Sequence, residues 1–184
     1  FVAQGGAVVT LGASTVLVSA SGIARPLEAH AAGGLFHPGS VVRARVRRAS
    51  SPLLYGYPAQ FPIFRGNGPL FAVAERDSAM LVLQYGATVK AHHDEGPMLG
   101  LPETAHPPAA PKPAAGAAGG DSAYVVSGMV RNENEIVGQG AIFDVPVGRG
   151  RVVAFTFDPL HRFLNHHEFP LVWNALLNWD ARPR

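Results

Sequence analysis

The chain has 184 residues, 47% of them hydrophobic, which is enough for one domain with a sizeable core. Its net charge of +2 is too small to indicate nucleic-acid binding, and the absence of cysteine excludes disulfides, thiolate metal sites and a cysteine nucleophile within it. No apolar run reaches the roughly 20 residues that a membrane-spanning helix needs, so no membrane span is predicted.

The first predicted elements are a strand, a tight turn and a helix. Ala7–Leu11 is an apolar, β-branched run bounded by glycines, which indicates a buried strand. Ser14 or Thr15 can cap a helix that extends to about Ile23. Because α/β folds often hold nucleophiles at such a strand-to-helix turn, Ser14 could also be a nucleophile. The helix cap is the interpretation we favour.

The next segments are predicted to contain strands around an irregular loop. Val41–Arg47 alternates apolar residues with arginines, which predicts a half-exposed strand with a basic outer face. That face could meet an acidic partner or a polysaccharide, but a solvated face at a sheet edge is favoured. Residues 51–64 hold four aromatic residues and three prolines and are predicted to form a packed loop, which could also line a groove. Leu70–Ala74 and Ala79–Tyr85 follow as strands.

The composition changes in the middle of the chain. Residues 90–122 are rich in proline, alanine and glycine, a composition that cannot build a core. We therefore predict one domain over residues 1–184, with a low-complexity surface insertion at about 90–122.

The last strands are predicted to include the centre of the core. Tyr124–Val130, Ala141–Val147 and Val152–Phe157 are apolar, and the last is unbroken, as in a strand buried on both faces. The connection between the second and third of these strands is so short that they should form an antiparallel hairpin.

A helix is predicted to close the chain. Asn165 and Glu168 stand three residues apart, as in a capping box, and Pro170 falls in the first turn, where proline is tolerated. Apolar residues at helical spacing should face the core. These residues are Phe169, Val172, Trp173, Leu176 and Leu177.

Several segments resemble one family. They are FVAQGGAVVTLGAST, HPGSVVRARV, SPLLYGYP, GRGRVVAFTFDP with the following HR, and FPLVWNALL. They are similar to the glutamine-amidotransferase-like domain that follows the catalytic domain in some bacterial zinc carboxypeptidases of the carboxypeptidase A superfamily. The fourth segment also resembles endings of accessory domains in bacterial glycosidases. The resemblance implies a Rossmann/flavodoxin-like α/β fold with a mixed sheet, and a chain that begins inside its domain, without the N-terminal strands.

The resemblance also implies that amidotransferase chemistry is lost. A cysteine nucleophile sits at the turn after the first strand in glutamine amidotransferases, where this chain has Gly12, Ala13 and Ser14. Asp158 stands where the family's histidine follows the last strand. The pair His166 and Glu168 has the spacing of the family's histidine and glutamate, but it lies too far along the chain to take their place.

One candidate ligand site follows the central strand. His161 and Arg162 lie just beyond its C-terminal end, where α/β sheets form ligand crevices. Together with His37 they could bind an anionic or polar ligand. The alternative, that Arg162 pairs with Asp158 and fixes the loop, is the interpretation we favour.

No metal or cofactor is predicted in this chain. His92 and Glu95 show the His-x-x-Glu spacing of two zinc ligands in zinc carboxypeptidases, but they lie at the edge of the predicted insertion without a third ligand. By the resemblance, zinc would belong to the catalytic domain of the parent protein.

The expected function is therefore that of a non-catalytic accessory domain of a bacterial zinc metallocarboxypeptidase, an extracytoplasmic enzyme that removes C-terminal residues from peptides. Its partners would be the peptidase domain of the same chain and a peptide or glycan substrate. The alternative is a carbohydrate- or peptide-binding module, attached to a glycosidase or standing alone, that uses the aromatic loop and the basic strand. Residual hydrolase activity through Ser14 is a third possibility.

Overall fold

The computed structural model describes residues 1–86 and 124–181, so the insertion predicted at about 90–122 lies outside the described residues. The described part is an α/β protein with a seven-stranded mixed sheet, two α-helices and a separate two-stranded sheet. Neither helix in this part is long and apolar enough to cross a membrane.

The strands are numbered along the chain. They are β1 (Ala7–Leu11), β2 (Glu28–His30), β3 (Gly39–Val46), β4 (Gln60–Gly66), β5 (Leu70–Ala72), β6 (Leu81–Tyr85), β7 (Val125–Ser127), β8 (Gly140–Val147) and β9 (Gly150–Phe155). The main sheet has the order β1-β9-β8-β6-β3-β4, with β7 also paired to β3, while β2 and β5 form the small sheet. Strands β1 and β9 are parallel, and the other pairs in the described residues are antiparallel.

The central strand is confirmed. β9 lies between β1 and β8, and its residues from Arg151 to Phe155 are buried. The predicted hairpin is also confirmed, because β8 and β9 are antiparallel and Val147 pairs with Gly150 across the turn. The core therefore lies on both faces of this strand.

The alternating strand is confirmed, but its predicted place at a sheet edge is wrong. In β3 the side chains of Val42 and Ala44 are buried, as the alternation indicates. However, β3 pairs with β4 on one side and with β6 on the other. The edge is formed by β4, in a segment predicted to be loop, where Pro62 is tolerated because an edge strand leaves one row of N–H groups unpaired.

The two helices cover opposite faces of the sheet. Helix α1 (Thr15–Ala20) packs through Val18 on one face and is shorter than predicted, since the chain turns after Ala20 and Gly22 adopts a φ of 72°. Helix α2 (Phe169–Leu177) packs on the other face and has Pro170 in its first turn, as predicted.

The predicted buried stripe of α2 is wrong for most of its members. The helix buries Leu171, Val172 and Ala175, whereas Trp173, Leu176 and Leu177 are exposed. Every residue from 169 to 177 except Asn174 is apolar, so the periodicity cannot determine which side faces the core.

A buried ion-pair cluster joins the hairpin to the C-terminal segment. The Asp144 carboxylate pairs with Arg151 Nε at 2.9 Å through Oδ1 and with Arg48 through Oδ2. Arg151 also donates to the backbone oxygens of Asn178, at 2.9 Å, and Ala181. Asp144 and Arg151 are almost fully buried, so each compensates for the desolvation of the other.

Candidate functional site

A cavity of about 460 Å³ lies at the carboxyl ends of the parallel strands β1 and β9. Open α/β sheets commonly bind ligands at this position. The segments that line the cavity are the turn after β1, the start of β3, the β4–β5 turn and the loop after β9. Their residues are Gly12, Ala13, Pro38, Gly39, Phe64, Gly66, Asn67, Gly68, Pro69, Thr156, Phe157, Asp158, His161 and Arg162.

The turn after β1 brings backbone, rather than a nucleophile, to the cavity. Gly12 has a φ of 55°, which favours glycine, and its N–H donates to Phe157 O at 2.9 Å. The Ser14 hydroxyl donates to Leu11 O at 2.8 Å and accepts from Leu11 N at 2.9 Å. Its predicted capping role is wrong, since no side chain caps α1 and the hydroxyl instead closes the turn behind it.

Thr15 has a structural role next to this turn. Its hydroxyl donates to Phe155 O at 2.7 Å and also contacts the Thr10 hydroxyl at 3.0 Å. Thr15 is fully buried, and neither Thr15 nor Ser14 lines the cavity. Neither residue therefore presents a hydroxyl to a ligand there. The turn holds β1 against β9 and leaves room beside Gly12 and Ala13.

The loop after β9 brings two predicted ligand residues, His161 and Arg162, together with Asp158. Asp158 accepts a hydrogen bond from Leu160 N at 3.0 Å, and the His161 ring stacks on Phe64 with 4.4 Å between centroids. Arg162 has a φ of 50°, an uncommon value for a residue with a side chain. These three residues line the same cavity.

The ion pair expected between Arg162 and Asp158 is not formed. The ion pairs within the described residues join other groups, and Arg162 is exposed. Asp158 and Arg162 therefore line one cavity without forming an ion pair with each other.

His37, the third predicted ligand residue, lies behind the cavity rather than in it. Its side chain is buried, and the cavity is lined instead by the next two residues, Pro38 and Gly39. Burial, together with the nearby charge of Arg65, lowers the pKa of His37 to about 4, so the ring is neutral at physiological pH. Its ring packs edge-on to that of Tyr124, at 6.4 Å between centroids.

A buried arginine that the sequence analysis missed holds one wall of the cavity. Arg65 donates to Gly66 O and Gly68 O, each at 2.9 Å, and its guanidinium lies over the Tyr85 ring at 5.5 Å from the centroid. The Tyr85 hydroxyl is 2.9 Å from that of Thr156 in the opposite wall. The alternation from Phe61 to Arg65 places this arginine on the buried face of β4 and could have revealed it.

Glu168 is a second buried ionisable residue near the site, and its predicted capping role is wrong. Its Oε1 accepts from Phe64 N at 2.7 Å, which links the start of α2 to β4, and no side chain caps the preceding turn. Its Oε2 has no hydrogen-bond partner. Burial raises the pKa of Glu168 to about 8, with a smaller upward contribution from the charge of Asp158.

Neither member of the pair His166 and Glu168 lines the cavity. His166 lies outside the cavity, with its Nε2 at 3.0 Å from Phe163 O. Across residues 1–86 and 124–181, no cluster of three or more His, Asp or Glu side chains could hold a metal ion. His92 and Glu95 lie outside those residues.

No protein-family model, curated protein or solved structure matches this chain.

Proposed function

We propose that this chain is a non-catalytic accessory domain whose cavity binds a short peptide through both of its charged ends. The observation that carries the proposal is that Asp158 and Arg162 line one cavity without pairing with each other. A ligand with an ammonium and a carboxylate group can pair with both, and a charge-assisted hydrogen bond of this kind contributes about 1.5–3 kcal/mol.

The rest of the cavity suits such a ligand. Phe64 and Pro69 supply apolar surface for a side chain, while the Asn67 amide supplies a polar group. Arg65 holds the β4–β5 turn in place by donating to the backbone oxygens of Gly66 and Gly68. This turn is therefore ordered before a ligand binds, which lowers the entropy cost of binding.

The resemblance to accessory domains of zinc carboxypeptidases gives the proposal its biological setting. A parent enzyme that removes C-terminal residues shortens peptides, and this domain would hold a short peptide beside the peptidase domain of the same chain. The zinc and the hydrolytic chemistry would lie in that domain, and the parent would act outside the bacterial cytoplasm.

The finer fold assignment is part of the same proposal. The parallel pair β1 and β9, with a turn, a helix and a cavity at their carboxyl ends, supports a Rossmann-like, glutamine-amidotransferase-like arrangement. The antiparallel strands that complete the sheet depart from that arrangement.

The two other functions have less support. Of the four aromatic residues between 55 and 64 only Tyr55 is largely exposed, and the basic strand β3 lies inside the sheet rather than at an edge, so a carbohydrate-binding surface is not favoured. Hydrolysis through Ser14 is not favoured because the hydroxyl is held by the backbone of Leu11.

Calorimetric titration with alanyl-alanine tests the proposal. Acetylating its amino group or amidating its carboxylate should each weaken binding about tenfold, because each removes one charged contact. Asp158→Asn should abolish discrimination against the acetylated peptide, and Arg162→Gln should abolish discrimination against the amide. Arg149→Gln, an exposed arginine outside this cavity, is the matched control. Equal binding of all three peptides, or no binding, would refute the proposal.

A further inference from the structure

Helix α2 has an apolar face on each side. Leu171, Val172 and Ala175 pack against the sheet, while Trp173, Leu176 and Leu177 point outward with 58%, 47% and 76% of their surface exposed. A helix that is hydrophobic all round is normally buried on all sides. The outer face of α2 therefore has the composition of a covered surface.

The exposed apolar surface continues beyond both ends of the helix. Phe163 is 72% exposed and contacts Phe169 at 5.0 Å between ring centroids, and Trp179 is 55% exposed just after the helix. We call the outer face of α2, together with these neighbouring residues, the outer patch. Its members are Phe163, Leu164, Phe169, Trp173, Leu176, Leu177 and Trp179.

The size of the outer patch is that of an interface. Its three largely exposed aromatic residues alone present roughly 400 Å², within the range of the largest apolar patch on an ordinary monomer. The exposed leucines bring the total to roughly 700 Å², close to the roughly 800 Å² that each partner buries in a standard interface.

The charge of the outer patch favours a second copy of the same chain as the occupant. No residue of the patch is charged, so two copies can meet face to face without repulsion and without leaving an ion unpaired. A two-fold axis through the middle of the patch would bury it once on each protomer, which is the commonest closed arrangement of soluble oligomers.

We propose that this domain forms a two-fold homodimer in which the outer patch of one protomer covers that of the other. The inference rests on α2 and the residues beside it, and it does not depend on ligand binding in the cavity. It also accounts for the apolar stripe that the sequence pattern assigns to a buried position.

Light scattering after size-exclusion chromatography tests the dimer with two matched variants. At about 100 μM, wild-type protein should show twice the monomer mass of 19.4 kDa. Leu177→Asp should run as a monomer, because it places a carboxylate in the interface. Leu17→Asp should remain a dimer, since Leu17 is similarly exposed, at 69%, but lies on α1 at the opposite face of the sheet.

Cross-linking provides a second measurement that does not depend on a disruptive charge. The chain has no cysteine, so Leu176→Cys introduces a single thiol near the middle of the patch. Mild oxidation should cross-link this variant rapidly and leave Leu17→Cys largely unlinked. A monomeric wild-type protein, a larger open assembly, a dimer that survives Leu177→Asp, or equal cross-linking of both cysteine variants would each overturn the proposal.

Discussion

Replacement of Glu168 by glutamine should remove a pH dependence from the stability of the domain. The Glu168 side chain is fully buried, with one oxygen bonded to Phe64 N and the other without a partner. Burial raises its pKa from 4.5 to about 8, so the folded protein keeps a proton that the unfolded chain loses. Glutamine keeps the shape and an acceptor for Phe64 N, but it cannot ionise.

The sign and size of the effect follow from the two pKa values of Glu168. The folded state binds the proton more tightly, so its stability contribution is fully present below pH 4.5 and is lost as the pH rises through about 8. The difference between pKa values of 4.5 and about 8 corresponds to about 5 kcal/mol in full, at about 1.4 kcal/mol for each pH unit. About 4 kcal/mol of this is lost between pH 5 and pH 9, so the free energy of unfolding of the wild type, relative to Glu168→Gln, should fall by about 4 kcal/mol over that range.

Urea unfolding at one-unit pH intervals measures this difference directly. Glu133→Gln is the control, because Glu133 is exposed. The free energy of unfolding of this variant should follow that of the wild type at every pH in the range. A constant or rising difference between wild type and Glu168→Gln would refute the reasoning, since it would mean that Glu168 is ionised in the folded protein at neutral pH.

Three further substitutions test the buried polar groups and the core. Because burial lowers the pKa of His37 to about 4, the free energy of unfolding of the wild type should fall by about 3 kcal/mol as the pH falls from 6.5 to 4. His37→Phe should not show this fall when its urea unfolding is measured over the same pH range. Asp144→Asn should lower the unfolding free energy by about 3 kcal/mol or more, because it leaves Arg48 and Arg151 without their carboxylate; an unchanged denaturation midpoint would contradict this. Val153→Asp should prevent folding, since an unpaired carboxylate would stand in the central strand at a cost of about 4 kcal/mol or more; a normal thermal transition would show that the site tolerates it.

The strands were predictable where the pattern of the sequence is local. The unbroken apolar run predicts the buried strand β9, and the alternation predicts a strand with one buried face, β3. Both strands are confirmed. Strand β4 was missed because its proline and aromatic residues favour a loop, while its pairing with β3 is a long-range interaction. The outer face of α2 could not be assigned, since an almost wholly apolar helix has no polar side to orient it.

The candidate site was predictable only in part for the same reason. Asp158, His161 and Arg162 follow the central strand directly, so topology alone places them at its carboxyl end. The burial of His37 depends on how its loop packs against Tyr124, and the carboxylate of Glu168 bonds to a strand more than a hundred residues earlier. Sequence spacing shows neither interaction, and it suggested a local cap for Glu168 instead.

Chemical-shift mapping of the backbone amides during titration with alanyl-alanine shows where a short peptide binds. The perturbed amides should cluster around the cavity, in the turn after β1, the β4–β5 turn and the loop from Asp158 to Arg162. The same titration with the acetylated, amidated peptide should leave these amides almost unchanged. Perturbations that cluster elsewhere, or that are equal for both peptides, would contradict the assignment of the cavity as a site for peptide ends.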